Sequence, residues 1–210
     1  MFNDLYSLIA SIPGLLLGFA FHEFAHAWVA YKLGDDTAAR EGRLNINPLS
    51  HLDPVGTLLL IFTGFGWAKP VPVNPVRFTR RIDMRTGMML VSLAGPLTNV
   101  LIALLTVISW GLLVRFGIEL SPVLEIILQG ILSINVGLAV FNLLPIPPLD
   151  GSKILFGLLP YRYTRWLELL EQYSYPILFL MLLTGFHRVL LVPLRDVLIT
   201  FLQLVANLLV

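Results

Sequence analysis

His22-Glu23-Phe24-Ala25-His26 sets two histidines four residues apart, with a glutamate directly after the first. On a helix, residues four apart stack on one face, so both imidazoles can reach one ion. The glutamate can stand over an attacking water without ligating, the place of a general base in a zinc hydrolase. With four histidines and six glutamates in 210 residues, chance supplies roughly 0.002 such motifs. The bland alternative is a pair of helix histidines satisfied by other polar groups inside a bundle. It is weakened by the apolar run that precedes them, because ionisable groups within a membrane span are costly and mark function.

A catalytic zinc takes three protein ligands and keeps one position open. The chain has no cysteine, so the third ligand must be a histidine or a carboxylate. Asp150 follows the proline cluster Pro145-Ile146-Pro147-Pro148. His51 lies in a polar loop, and His187 lies beside Arg188 near the C-terminal end. Depth separates them. His22 is 17 residues past Leu5, about 26 Å along a helix and near the far boundary of a hydrocarbon core about 30 Å thick. A span running in the same direction and ending near Leu144 delivers Asp150 to that depth, and the prolines free it to turn inward. His187 is expected at the opposite face. Asp150 is therefore the expected third ligand, with His51 in reserve. By itself, Asp150-Gly151 would also suit an ordinary turn.

The elements that must hold these residues are apolar. Of the 210 residues 57% are hydrophobic and 13% charged, against about 45–50% and 25% in soluble domains. The excess must face something other than water, and lipid is the candidate. Spans are expected at Leu5–Tyr31, Thr86–Val114 and Val123–Leu144, with one or two more from Tyr175–Phe186 and Val189–Val210. Val55–Phe65 is too short to span, and glycine and proline break the chain after it. Val55–Val76 is therefore expected to be a re-entrant or interfacial extended element, such as a β-hairpin, which the membrane tolerates only where protein or water satisfies its backbone. The expected fold is an all-α polytopic bundle of about five to six transmembrane helices. It forms one membrane-embedded domain over residues 1–210, with a core at about 5–155 and further spans at about 173–210.

Seven of the 14 Lys and Arg residues fall within Gly34–Arg85. With Lys32, Lys153, Arg162 and Arg165, eleven of the 14 lie on one side, which the positive-inside rule assigns to the cytoplasm. The N-terminus is then outside, and no cleavable signal peptide is expected. A net charge of +1 without a basic stripe argues against nucleic acid as a partner.

Two distant motifs together resemble the site-2 protease family of intramembrane zinc metalloproteases, in its compact prokaryotic form. They are His22–His26 and Asn142-Leu143-Leu144-Pro145-Ile146-Pro147-Pro148-Leu149-Asp150-Gly151, with supporting matches at Gly42-Arg43, Asn47-Pro48, Trp67–Val73 and Ala94–Asn99. The resemblance implies one zinc ion per chain held by His22, His26 and Asp150, with Glu23 as the catalytic base. It also implies that Asn142 holds the substrate backbone near the metal. The substrate would be a membrane-spanning protein or peptide in the cell membrane, cut near the cytoplasmic side. The 210 residues leave room for neither the PDZ domain nor the CBS pair that many members carry. Two rivals share the motif. One is a membrane zinc hydrolase whose third ligand is a glutamate, Glu168 or Glu171 here, and the other is a membrane protein that binds metal without catalysis.

Overall fold

The computed structural model describes residues 5–63, 66–79 and 81–209. Ten α-helices are described: α1 (Leu5–Lys32), α2 (Thr37–Arg40), α3 (Pro48–His51), α4 (Pro54–Thr63), α5 (Met84–Arg115), α6 (Pro122–Asn142), α7 (Asp150–Leu158), α8 (Thr164–Gln172), α9 (Ser174–Leu183) and α10 (Phe186–Leu209). Among the described residues there is no strand, only an isolated antiparallel bridge between Leu52 and Ala68.

Two of the long helices, α5 and α6, start where the sequence supplies a cap. The Asp83 side chain accepts from the Arg85 and Thr86 amides at the head of α5. Ser121 caps α6, with Pro122 at the first helical position, where its missing N–H costs nothing. Among the described residues, three helices are long and apolar enough to cross a membrane: Met84–Arg115, Pro122–Asn142 and Phe186–Leu208. Only 17%, 28% and 11% of their most apolar windows are buried in the protein. Such exposed apolar surface is what a lipid-facing helix presents, and water would not tolerate it.

α1, α5 and α6 pack against one another to form the core. α1 and α6 cross where Gly14 meets Gly130. A Cβ on Gly130 would stand 2.5 Å from Ala10 O, so only glycine admits this approach. On the other side of α5 and α6, Leu202 of α10 is buried against Ala103, Val136 and Val140.

Two expectations change here. The extended element expected at Val55–Val76 begins as helix α4, because Asp53 accepts from the Gly56 amide and Pro54 opens a run of leucines. Residues 66–74 after it are neither helix nor strand, with a single bridge at Ala68; part of the Gly64–Gly66 break lies outside the described residues. The second change concerns the C-terminal part. α9 has ten residues and reaches about 15 Å, half the hydrocarbon thickness. Gly185, at φ 71°, then turns the chain into α10. Met181 of α9 and Leu190 and Leu191 of α10 pack with Leu144 and Leu149. His187 therefore lies at the end of the bundle that carries Asp150, not at the opposite face, and its Nδ1 is 3.3 Å from Met181 O.

Candidate metal centre

One face of α1 carries both motif histidines inward, as the four-residue spacing requires. Their rings are buried, perpendicular at 89°, with centroids 4.5 Å apart. The two Nε2 atoms are 3.0 Å apart, and Asp150 Oδ2 is 3.2 Å from each. These three are the group of possible ligands found among the described residues. Asp150 is the first residue of α7, which folds back along α5. The fold-back is tight: a Cβ on Gly151 would run into the Leu143 and Leu144 carbonyls at the end of α6.

The protons of the histidines can be placed from their outer partners. His26 Nδ1 is 2.7 Å from Val91 O, which can only accept, so Nδ1 carries hydrogen. His22 Nδ1 donates to Asn99 Oδ1 at 2.7 Å. The orientation of Asn99 follows from its other end, where Nδ2 donates to Gly18 O at 3.1 Å and to Asn135 Oδ1 at 3.0 Å. Asn135 in turn donates to Ile131 O and, at longer range, Gly14 O. Both asparagines are fully buried.

With hydrogen on both Nδ1 atoms, both Nε2 atoms present lone pairs to each other and to a carboxylate oxygen. Three acceptors converging in a buried place need a cation between them. Tetrahedral zinc with bonds of about 2.0–2.1 Å separates its ligand atoms by roughly 3.3 Å, close to the 3.0–3.2 Å seen. The space is kept free by Gly95, where a Cβ would stand 2.5 Å from His26 Nε2 and 2.6 Å from His22 Cε1. The residues present fit zinc.

Glu23 is buried beside His22, and its Oε2 accepts the Val71 amide at 2.8 Å. Val71 belongs to the irregular segment 66–74, which loops fasten at several points. Lys69 N donates to His51 O at 2.8 Å, Arg43 to Lys69 O at 2.7 Å, and Asn74 N to Asp35 Oδ2 at 2.6 Å. Nearby, Asp36 binds Arg40 and Arg77. The hydrogen bond from Arg40, ahead of the contribution from Arg77, holds the Asp36 carboxyl below its usual range.

Other residues singled out from the sequence stand elsewhere. His51 is fully buried, but its Nε2 donates to Asn45 O at 2.8 Å and its Nδ1 faces Arg43 at 3.4 Å, so both nitrogens serve the loop. Glu168 and Glu171 are exposed on α8. Asn142 ends α6 and donates to Leu138 O within its own helix at 3.0 Å. Sequence reasoning did not single out Asn135, although an amide inside an apolar span is itself a signal. The Val91 carbonyl offers no side-chain signal at all.

Comparison with known proteins agrees with this geometry. Residues 118–185 match the family model described as Peptidase family M50. The chain is 40% identical over 186 residues to "Putative zinc metalloprotease YwhC" of Bacillus subtilis, covering 87% of this chain and 84% of that protein. It is 31% identical over 184 residues to "Putative zinc metalloprotease Rip2" of Mycolicibacterium smegmatis, covering 84% and 67%. "Putative zinc metalloprotease MJ0611" of Methanocaldococcus jannaschii is 33% identical over 158 residues, 71% and 72% of the two chains. No solved structure matches the chain. The chain belongs to peptidase family M50, the site-2 protease family, and is a membrane-associated zinc metalloprotease.

Proposed function

We propose that the chain hydrolyses a peptide bond within or near the transmembrane segment of another membrane protein, close to the cytoplasmic face of the cell membrane. The observation that carries this is the convergence of two imidazole Nε2 atoms and the Asp150 carboxylate beside buried Glu23, within a bundle whose long helices present apolar surface outward. His22, His26 and Asp150 hold one zinc ion. When bound, zinc polarises the scissile carbonyl and makes water acidic enough to attack near neutral pH. Glu23 takes the proton of the attacking water and passes it to the leaving amine. The Val71 amide fixes its carboxylate for that task.

The whole chain acts as one membrane-embedded unit, with α1, α5 and α6 as catalytic core and α10 as a further span. α1 runs inward from an external N-terminus, so the positively charged loops after it and after α6 lie in the cytoplasm. A helical substrate hides its carbonyls in its own hydrogen bonds and must unwind locally before attack. The segment 66–74 offers a backbone edge with which the unwound stretch pairs. Asn142, at the end of α6 and in the same motif as Asp150, holds the substrate backbone.

The test separates holding the metal from using it. In folded protein, Glu23→Gln is expected to keep about one zinc per chain and lose cleavage of a membrane-spanning reporter. Asp150→Ala is expected to lose both. Full zinc retention in Asp150→Ala, or normal cleavage by Glu23→Gln, overturns these assignments.

A further inference from the structure

Gly42-Arg43 and the run Lys69-Pro70-Val71-Pro72, far apart in the sequence, meet in the structure. After α2, Gly42 at φ 66° turns the chain back, with its own amide on Ala39 O and the Arg43 amide on Ala38 O. The Arg43 side chain is buried, at 7% exposure. Its Nη2 donates to Lys69 O at 2.7 Å and faces His51 Nδ1 at 3.4 Å. His51 Nε2 is spent on Asn45 O, so Nδ1 is an acceptor. Among the described residues Arg43 makes no ion pair, and its Nε is buried without an acceptor. A buried cation with no counter-charge is costly. What it gives in return is a charge-assisted hydrogen bond, about twice as strong as a neutral one, on one particular carbonyl.

That carbonyl stands two residues before the Val71 amide, which binds Glu23 Oε2 at 2.8 Å. The Lys69 C=O lies in the peptide plane ahead of Pro70, and the Val71 N–H in the plane after it. Only the φ and ψ of Pro70 separate the two planes, and the ring fixes φ. A single soft torsion therefore stands between the group that Arg43 grips and the group that Glu23 binds. Pro72 restrains Val71 from the other side, and Val71 is buried with Ala27 and Ala38. We propose that Arg43 is a positioning residue for peptide hydrolysis: through the Lys69 carbonyl and the stiff Pro70 it holds the Val71 amide where that amide orients the Glu23 carboxylate. The other anchor of the segment does not do this. Asp35 grips the Asn74 amide at 2.6 Å, three residues and several soft torsions beyond Val71 N. The inference rests on Glu23 being the general base.

Arg43→Ala and Arg43→Lys are made in the full-length chain, loaded with zinc and reconstituted in phosphatidylcholine vesicles. Amide exchange read by mass spectrometry reports on the bracket without any turnover. From Lys69 to Val73 only Lys69, Val71 and Val73 have exchangeable amides, because both prolines lack one. Arg43→Ala is expected to speed exchange in this stretch about tenfold and to leave α1 and α5 as protected as in wild type. With a membrane-spanning reporter, kcat is expected to fall about 10–100-fold, while KM and zinc per chain stay within about twofold. Arg43→Lys keeps a charged donor for Lys69 O and is expected to recover kcat to within about threefold of wild type. Unchanged exchange over 69–73, wild-type kcat in Arg43→Ala, or an Arg43→Lys no better than Arg43→Ala overturns the proposal. So does a fall in kcat that comes with zinc loss or with faster exchange throughout α1, because a residue of the fold alone would give that result. Glu23→Gln separates the two readings. Normal cleavage by Glu23→Gln overturns the base and this proposal with it, whereas an inactive Glu23→Gln beside a fully active Arg43→Ala overturns this proposal alone.

Discussion

Gly95→Ala adds one methyl group at the point where the metal centre has no room for it. The new Cβ would stand 2.5 Å from His26 Cε1 and Nε2 and 2.6 Å from His22 Cε1. Ordinary carbon contacts lie at about 3.5–4.0 Å, so something must retreat by about 1 Å. Neither ring can swing away freely, because each is tied at Nδ1 by a 2.7 Å hydrogen bond to α5 itself. Metal sites tolerate about 0.2 Å in ligand distance, so a 1 Å displacement exceeds the tolerance about fivefold. Losing an outer hydrogen bond alone lowers metal affinity about 10–100-fold, and the methyl group is expected to cost at least the upper figure. The fold is affected much less. Alanine is better than glycine in a helix interior by about 1 kcal/mol, which partly offsets an overpacking cost of about 1–3 kcal/mol. The assay is zinc bound per chain across buffered free-zinc concentrations, with circular dichroism on the same samples. Native helicity with zinc affinity lowered 100-fold or more is the expected result. Native helicity with wild-type zinc affinity would refute the placement of both imidazoles against Gly95.

Two further outcomes follow from the residues around the centre. Asn135→Leu removes the acceptor that steadies Asn99 and is expected to weaken zinc binding about tenfold, the lower end of the range for outer partners; competition with a chelator measures it, and unchanged affinity breaks the proposed relay to His22. Asn142→Ala leaves all three ligand side chains untouched, so zinc content should stay at wild type while turnover of a membrane-spanning reporter falls about tenfold through poorer positioning. Normal turnover in that variant removes Asn142 from the substrate site.

The parts of the site legible in the sequence were those that need only local geometry. His22 and His26 need nothing but a helix to share a face, and Glu23 needs only to follow His22. Asp150 could be placed by counting residues along two spans of the same direction. Asn135 was hidden because its meaning depends on three crossing helices, its partners being Asn99 on α5 and the Gly14 and Ile131 carbonyls. The error at α4 has a different source. The glycines and prolines that suggest extended backbone lie almost entirely after Thr63, while Asp53-Pro54, just before the leucine run, starts a helix. Of the two apolar runs at the C-terminal end, α9 is too short to span and α10 is long enough. Ten residues with a glycine turn behind them return the chain to the end it came from, which is why His187 lies beside Met181 and not across the membrane.

A metal centre buried among lipid-facing helices must satisfy its outer polar groups without water, and this explains why helix crossing and metal geometry are a single constraint here. Gly18 O belongs to α1, Asn99 to α5 and Asn135 to α6, and these three groups meet behind His22. Gly14 and Gly130 bring α1 and α6 close enough for that meeting. Slide any one helix by an ångström and an amide loses its partner in a medium that cannot replace it. The loss passes along the relay to His22 Nδ1 and changes where Nε2 points. Zinc affinity should therefore respond to packing at the Gly14–Gly130 crossing, although neither glycine is a ligand or bonded to one. A bulky residue at Gly130 that weakens zinc binding without reducing helicity is what this coupling requires.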